Sequence, residues 1–188
     1  MKKFFLYILM LMPVFALSSC EDAEIASTLE GTWKGNMYIS TEHGDYTYDA
    51  TYTEITFEID PFYFSKGSGY WVDYYDTGKY RTITRDYVAN HITWEVNNRT
   101  IYIHFREEGT SLRISDYRLS NNRFYGTLYD GNHIVDFDLD HTYSPNWSKY
   151  DYWGYDHWYN DFFTRGEGAS DSTDVTTPEK PRRFVRGK

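Results

Sequence analysis

Residues 92–139 read ITWEVNNRTIYIHFREEGTSLRISDYRLSNNRFYGTLYDGNHIVDFDL. Apolar and polar side chains alternate along this stretch with the period of two that a half-buried strand requires. Ile92, Trp94 and Val96 alternate with Thr93 and Glu95, and Ile101, Ile103 and Phe105 with Tyr102 and His104. Val135, Phe137 and Leu139 alternate with Asp136 and Asp138. The expected strands are Ile92–Val96, Thr100–Phe105, Ser111–Leu119 with a bend at Ser115-Asp116, Arg123–Tyr129 and Val135–Leu139. Asn97-Asn98, Asn121-Asn122 and Asp130-Gly131 stand in the gaps, and these residues tolerate the positive φ of tight hairpin turns. Consecutive strands joined so tightly pair with their neighbours, so the stretch is an up-and-down antiparallel sheet.

The chain before it extends the same pattern. Trp33, Gly35, Met37 and Ile39 share one face of a first strand. Thr47 to Ile59 forms a second, whose apolar parity switches from Tyr48, Ala50 and Tyr52 to Ile55, Phe57 and Ile59, so a bulge or bend is expected near Thr53. Asp60-Pro61 ends that strand, because proline has no amide to donate. Gly67-Ser68-Gly69 reads as another turn, and Tyr70–Tyr75 with Lys79–Arg85 as a hairpin across Asp76-Thr77-Gly78. The total is roughly eight to ten strands with almost no helical period, and closure removes the exposed edges of such a sheet. The fold class expected is all-β, a small antiparallel up-and-down barrel, with a two-sheet sandwich as the alternative. The inward candidates are large, so the interior is expected to be largely filled, with a shallow concavity at one mouth.

Gly31-Thr32-Trp33 at the head of the first strand resembles the Gly-x-Trp motif of lipocalins and other calycins. The run from Ile92 through Tyr117-Arg118-Leu119-Ser120 to Leu139 resembles lipocalin-like surface lipoproteins of Bacteroidetes-type bacteria. The resemblance covers about residues 29–143 and implies a barrel closed at one end by Trp33. It also implies an arginine on the last strand packed over that tryptophan, which is not evident here.

The first residues carry an address. Lys2 and Lys3 precede an apolar run, Phe4 to Leu17, too short to span a bilayer as a mature helix. The run ends in Leu17-Ser18-Ser19-Cys20, which resembles a bacterial lipobox, with cleavage before the chain's single cysteine and acylation of it. Residues 1–19 are therefore expected to be a signal peptide. Residues 20–28 are expected to be a lipidated cysteine and an acidic tether. Glu21, Asp22 and Glu24 resemble the signal that sends such lipoproteins to the outer face of the outer membrane. Lys2 and Lys3 leave with the signal peptide, so the formal net charge moves from −9 to −11. Phosphate repels such a surface, and nucleic acid is not expected as a partner.

Residues 29–163 form the expected barrel domain, with Trp147 to Phe163 as its aromatic end, a short helix or loop. Tyr155, Trp158, Tyr159 and Phe162 fall on one face of a helix, while Gly154 weakens a continuous one. These rings either pack on the outside of the barrel or form a platform for sugars. Residues 164–188 lack periodicity and are expected to be disordered, with a basic end at Lys180, Arg182, Arg183, Arg186 and Lys188.

Catalytic motifs are missing. No Gly-x-Ser-x-Gly elbow or phosphate-binding glycine loop occurs, and His133 and His141 lie too far apart on one strand to share an ion. Asp136, Asp138 and Asp140 line one strand face but lack the glycine and distal glutamate of a calcium loop. Glu107 and Glu108 are adjacent and so point opposite ways, while acids paired from distant strands stay open. No cofactor or metal is expected, and the protein is read as no enzyme. The leading expectation is a lipid-anchored envelope barrel that binds a small apolar or amphipathic ligand or a partner protein. Candidate contacts are Trp33, Trp94, Trp147, Tyr150, Trp153 and Trp158. A carbohydrate-binding accessory lipoprotein of a glycan-uptake system and a structural or interaction lipoprotein without a ligand are the alternatives. The lipobox has a direct check: Cys20→Ala should move the protein out of the membrane fraction, and a variant that still pellets with membranes after a carbonate wash would show the anchor to be wrongly placed.

Overall fold

The computed structural model describes residues 21–43, 46–75, 87–130, 133–155 and 182–186. Cys20, Trp158, the second arm of the expected Lys79–Arg85 hairpin and residues 164–181 lie outside them. The described residues form eleven strands: β1 Gly31–Asn36, β2 Ile39–His43, β3 Tyr46–Asp60, β4 Tyr63–Tyr75, β5 Tyr87–Asn97, β6 Thr100–Phe105, β7 Thr110–Ile114, β8 Asp116–Leu119, β9 Arg123–Asp130, β10 His133–Thr142 and β11 Arg182–Val185. All pair antiparallel, in the order β7-β6-β5-β4-β3-β1-β10-β9-β8. β7 and β8 are two halves of one strand broken at Ser115; the first half pairs with β6 and the second with β9. The two ends of the order therefore meet in a single strand, and the sheet is a nearly closed barrel rather than a sandwich.

Parity decides what lies inside. Trp33, Ile55, Phe57, Trp71, Phe105 and Phe124 are all at most 1% exposed, with Trp94 at 3% and Phe137 at 2%, so the expected filled interior is present. Trp94 explains one misreading. Gly67 and Gly69 do not make a turn; they lie inside β4. A Cβ on Gly67 would collide with the Trp94 ring and the Glu58 carbonyl. The bare backbone lets that ring lie against β4, where its indole N–H donates to the Ser68 carbonyl at 2.8 Å. The expected bend in β3 is present as a register shift between Ala50 and Tyr52. It divides the strand: the first part pairs with β2 and the second with β1.

Met37 and Ile39 do not continue β1. The chain breaks at Tyr38, whose φ is 51° and whose amide donates to Asn36 Oδ1 at 2.7 Å. β1 pairs with β10, whereas β2 pairs with β11. The β5–β6 connection turns on Asn98 and Arg99, with φ of 50° and 59°, as a two-residue hairpin of the primed type requires.

The acidic segment before the barrel is no extended tether. Residues 21–29 form a helix, α1, which closes the lower end. Its Asp22 carboxylate accepts the amides of Asn98 at 3.0 Å and Arg99 at 2.9 Å, and Glu21 pairs with Arg99 at 3.3 Å. Ala26 and Leu29 are buried, and the Leu29 carbonyl accepts the Trp33 indole N–H at 2.7 Å. On β10, His141 meets Trp33 edge-on at 5.0 Å, the place where the family resemblance implies an arginine.

Trp147, Tyr150 and Trp153 pack on the outside of the barrel, against β4 and β5 around Val72 and Ala89. Among the described residues the regular element there is a single 3-10 turn, Trp147–Lys149, capped by Asn146. Arg182–Val185 is ordered as β11, against the expectation of a structureless tail, because its backbone completes the free edge of β2. Truncating Trp33, Trp94 or Phe137 to Ala should each cost about 3–5 kcal/mol, as buried aromatics do. Urea midpoints measure this, and three unchanged midpoints would mean the strand faces are reversed.

Candidate functional site

The lower interior is apolar, but the upper end holds a buried ionic group. β4 carries Trp71, Asp73 and Tyr75 on its inward face, β3 contributes Thr53 and β5 contributes Asn90. Asp73 is fully buried. Its Oδ1 accepts the Thr53 hydroxyl at 2.6 Å and the Trp71 indole N–H at 2.9 Å. The β6–β7 turn supplies the second acid. Glu107 and Glu108 do point opposite ways. Glu107 accepts the backbone amide of His91 at 2.8 Å and meets its ring nitrogen at 2.6 Å on the outer face. Glu108 turns inward and accepts the Asn90 amide at 2.7 Å.

Arg183 of β11 lies between the two acids. It pairs with Asp73 Oδ2, donates from Nη2 to Glu108 Oε1 at 2.8 Å and from Nε to Oε2 at 3.1 Å. Its side chain is 7% exposed, against 0% for Asp73 and 5% for Glu108. The guanidinium lies 4.5 Å from the Phe105 ring centroid and 5.8 Å from that of Trp71. Above it, the Thr41 hydroxyl joins the hydroxyls of Tyr75 at 2.9 Å and Tyr155 at 3.1 Å.

Burial pushes the Asp73 carboxyl up, while Arg183 and the hydrogen bonds from Thr53 and Trp71 pull it back. Burial alone would lower the Arg183 guanidinium, but Asp73 and Glu108 together hold it well above its ordinary value. Burial also raises Tyr75 and Tyr155, so both remain neutral hydroxyls. The group holds two carboxylates and one guanidinium, formally one anion in excess. Asn90 Oδ1 is buried beside them with no hydrogen-bond partner among the described residues.

Of the residues named from sequence, those described do not come together here, and Trp158 lies outside the described residues. Trp33 and Trp94 are core side chains at the lower end and in the barrel wall. Trp147 stacks on Tyr70 at 4.5 Å and Trp153 on His91 at 3.8 Å, so each spends one ring face on the barrel. Tyr150 is 5% exposed. Asp138 is held below its ordinary range by the hydrogen bonds of Arg123, and Asp136 accepts the Thr127 hydroxyl at 3.1 Å, so these acids form a paired outer face. Among the described residues no cluster of three or more metal-ligating side chains occurs. A concavity of about 510 Å³ opens on the barrel side where β1 leaves β10, lined by Tyr38, Tyr117, Tyr125 and Phe137. Burial pushes the Tyr117 phenol up to about 12.

Asp73, Glu108 and Arg183 escape motif-based reading. One signal was there: in Trp71-Val72-Asp73-Tyr74-Tyr75 an acid stands at the parity of two buried aromatics. Arg183 has no local signal, since its partner Asp73 is 110 residues away.

A family model for the lipocalin-like domain matches residues 29–125, just over half of the chain. The chain belongs to the lipocalin-like family. No curated protein and no solved structure matches it. The lipocalin-like match includes Thr53, Trp71, Asp73, Asn90 and Glu108, whereas Arg183 comes from beyond it.

Removing one member of a buried ion pair typically costs about 3–5 kcal/mol, because the partner charge is stranded, and Arg183→Ala should do so at neutral pH. Without the guanidinium, Asp73 rises further above its ordinary value of 3.8. The folded variant then binds protons more tightly than the unfolded chain, so its stability falls as pH climbs through that window and recovers on acidification. Urea midpoints across the acid range measure this, and a deficit independent of pH would show that no carboxylate is left stranded.

Proposed function

We propose that the protein is a lipid-anchored, non-catalytic barrel of the outer membrane's outer face that binds at its upper mouth. The ligand is an amphipathic small molecule carrying a cation, or an equivalent basic segment of a partner protein. The observation that carries this reading is the composition of the buried group at the upper end. Two buried carboxylates face one guanidinium, the rings of Trp71 and Phe105 lie against it, and the Asn90 carbonyl has no donor among the described residues. A second ammonium or guanidinium would balance the excess anion, donate to that carbonyl and lie against aromatic faces that favour cations.

The anchor rests on the lipobox at Cys20, and the membership of Bacteroidetes-type surface lipoproteins on the resemblance and the acidic residues after it. A binding role suits the two acids better than catalysis, since both are tied to Arg183 rather than held as one free acid and one free base. A long acyl chain is a poor fit, because the filled lower barrel offers it no channel. The glycan reading loses ground because Trp147 and Trp153 stack on the barrel's own rings.

The test is fluorescence titration of the whole mature chain, since a fragment ending at Phe163 would lack Arg183. A dansylated alkylamine should bind saturably at micromolar concentration, and Asp73→Asn with Glu108→Gln should abolish that binding. Saturable binding of a dansylated fatty acid instead, or of neither probe, would overturn the cation reading. Binding of soluble glycans that is lost in Trp147→Ala would move the site to the outer aromatic face.

A further inference from the structure

We infer that the β3–β4 hairpin is a second membrane contact, whose aromatic tip enters the interface of the bilayer that holds Cys20; this rests on the anchor reading above. The tip is Pro61-Phe62-Tyr63-Phe64, with Phe62 83% exposed, Tyr63 60% and Phe64 72%. Three consecutive aromatics turned to water are unusual on a soluble surface, and contiguous apolar patches of this kind mark interaction sites.

The position of the tip selects the partner. Asp22, two residues after Cys20, is hydrogen-bonded to the amides of Asn98 and Arg99, so the start of α1 is fixed at the β5–β6 turn. Two residues of chain span at most about 7 Å, so an acylated Cys20 brings the bilayer to that turn. β4 pairs with β5 up to Lys66 and Glu95, and running on from there brings Phe64 to Phe62 level with the same turn. Tyr143, 97% exposed, follows the end of β10, where Thr142 pairs with Thr32 at the head of β1, and so lies at this end as well.

The chemistry of the tip is interfacial. Phenylalanine and tyrosine side by side suit the boundary between headgroups and acyl chains. Lys66, 5.9 Å from the Tyr63 ring, is paired with Glu95 at 3.3 Å across an exposed surface, and a lipid phosphate would have to compete with that carboxylate for it. The tip is also held ready: the Phe62 amide donates to Asp60 Oδ1 at 2.8 Å and Pro61 restricts the turn, so little order is lost on insertion. One acyl-modified residue alone leaves a domain free to swivel; a second contact fixes the barrel upright with its upper mouth directed away from the membrane.

The experiment uses the full chain, acylated in cells and reconstituted in vesicles of phosphatidylethanolamine and phosphatidylglycerol. Cys20 is the only cysteine, so after its acylation Phe62→Cys is the sole free thiol for a nitroxide label. Ile134→Cys, at an exposed site of the opposite end, is the control. Mass spectrometry reads the acylation of Cys20 in the same samples. The expected result is a label at 62 that is several-fold less accessible to an aqueous nickel chelate than the label at 134, and more accessible to oxygen. An acylated protein with equal accessibility at both sites overturns the hairpin contact and leaves the anchor standing. An unacylated protein in the soluble fraction sinks the anchor reading, and the hairpin contact with it.

Discussion

Trp71 can lie inside this barrel only if its indole N–H finds an acceptor there, because a buried donor without one costs more than the ring's burial comfortably offsets. A sequence of obligations follows from that one hydrogen bond. Asp73 accepts it and is thereby buried as a carboxylate. The carboxylate needs a cation, and Arg183 supplies it from the far end of the chain. The guanidinium has more donors than one acid can take, and Glu108 accepts from its Nε and Nη2. Glu108 in turn holds the Asn90 amide, which leaves the Asn90 carbonyl as the open end of the network among the described residues. Trp33 poses the same problem at the lower end and solves it locally, by donating to the Leu29 carbonyl of α1. One end therefore closes with a backbone acceptor and stays apolar, while the other closes with ions.

This difference separates what could be read from the sequence and what could not. Strands whose inward face is wholly apolar announce themselves by parity, and β5, β6 and β10 lie where Ile92, Ile101 and Val135 begin their alternations. The break at Ser115 was visible because the parity of Leu112 and Ile114 changes to that of Tyr117 and Leu119. β4 departs from the expected turn because Gly67 makes room for a distant ring, Trp94, and Gly69 for the Thr56 carbonyl of β3, whereas local reading takes paired glycines as a turn. α1 was missed for a related reason. Its buried face is only Asp22, Ala26 and Leu29, and an aspartate on a core-facing stripe looks like a solvated one until the Asn98 and Arg99 amides are seen. The site itself rests on Arg183, whose meaning depends on a pairing between the four-residue β11 and β2 that no local pattern records.

β11 is a weak element held by a strong one. Its ladder joins only residues 39–42 to 182–185, and a strand that short contributes little by itself. The buried ion group gives its position instead. Such groups add less net stability than their distances suggest, because desolvation offsets much of the attraction, yet breaking them is costly. The upper end is thus specified more sharply than it is stabilised. Segments with few apolar contacts open at lower free energy than the body of the fold, and β11 gives the main apolar core of described residues one buried hydrophobic side chain, Val185.

A ligand at this mouth would meet one of two situations, and the charges distinguish them. To displace Arg183 it would have to compete with a cation tethered to the site, and its apparent affinity would fall by the fraction of time β11 is open. To join Arg183 it would need no opening of the ion pair, only a place beside the excess carboxylate charge and the Asn90 carbonyl, which has no partner among the described residues. The second route retains the interactions that Asp73 already makes with Thr53, Trp71 and Arg183, and adds one where the network is incomplete. Displacement would leave those same acids to a ligand whose guanidinium must reproduce the donations of Nη1, Nη2 and Nε in place. The arrangement of donors and acceptors therefore favours a cation that completes the network over one that replaces its centre.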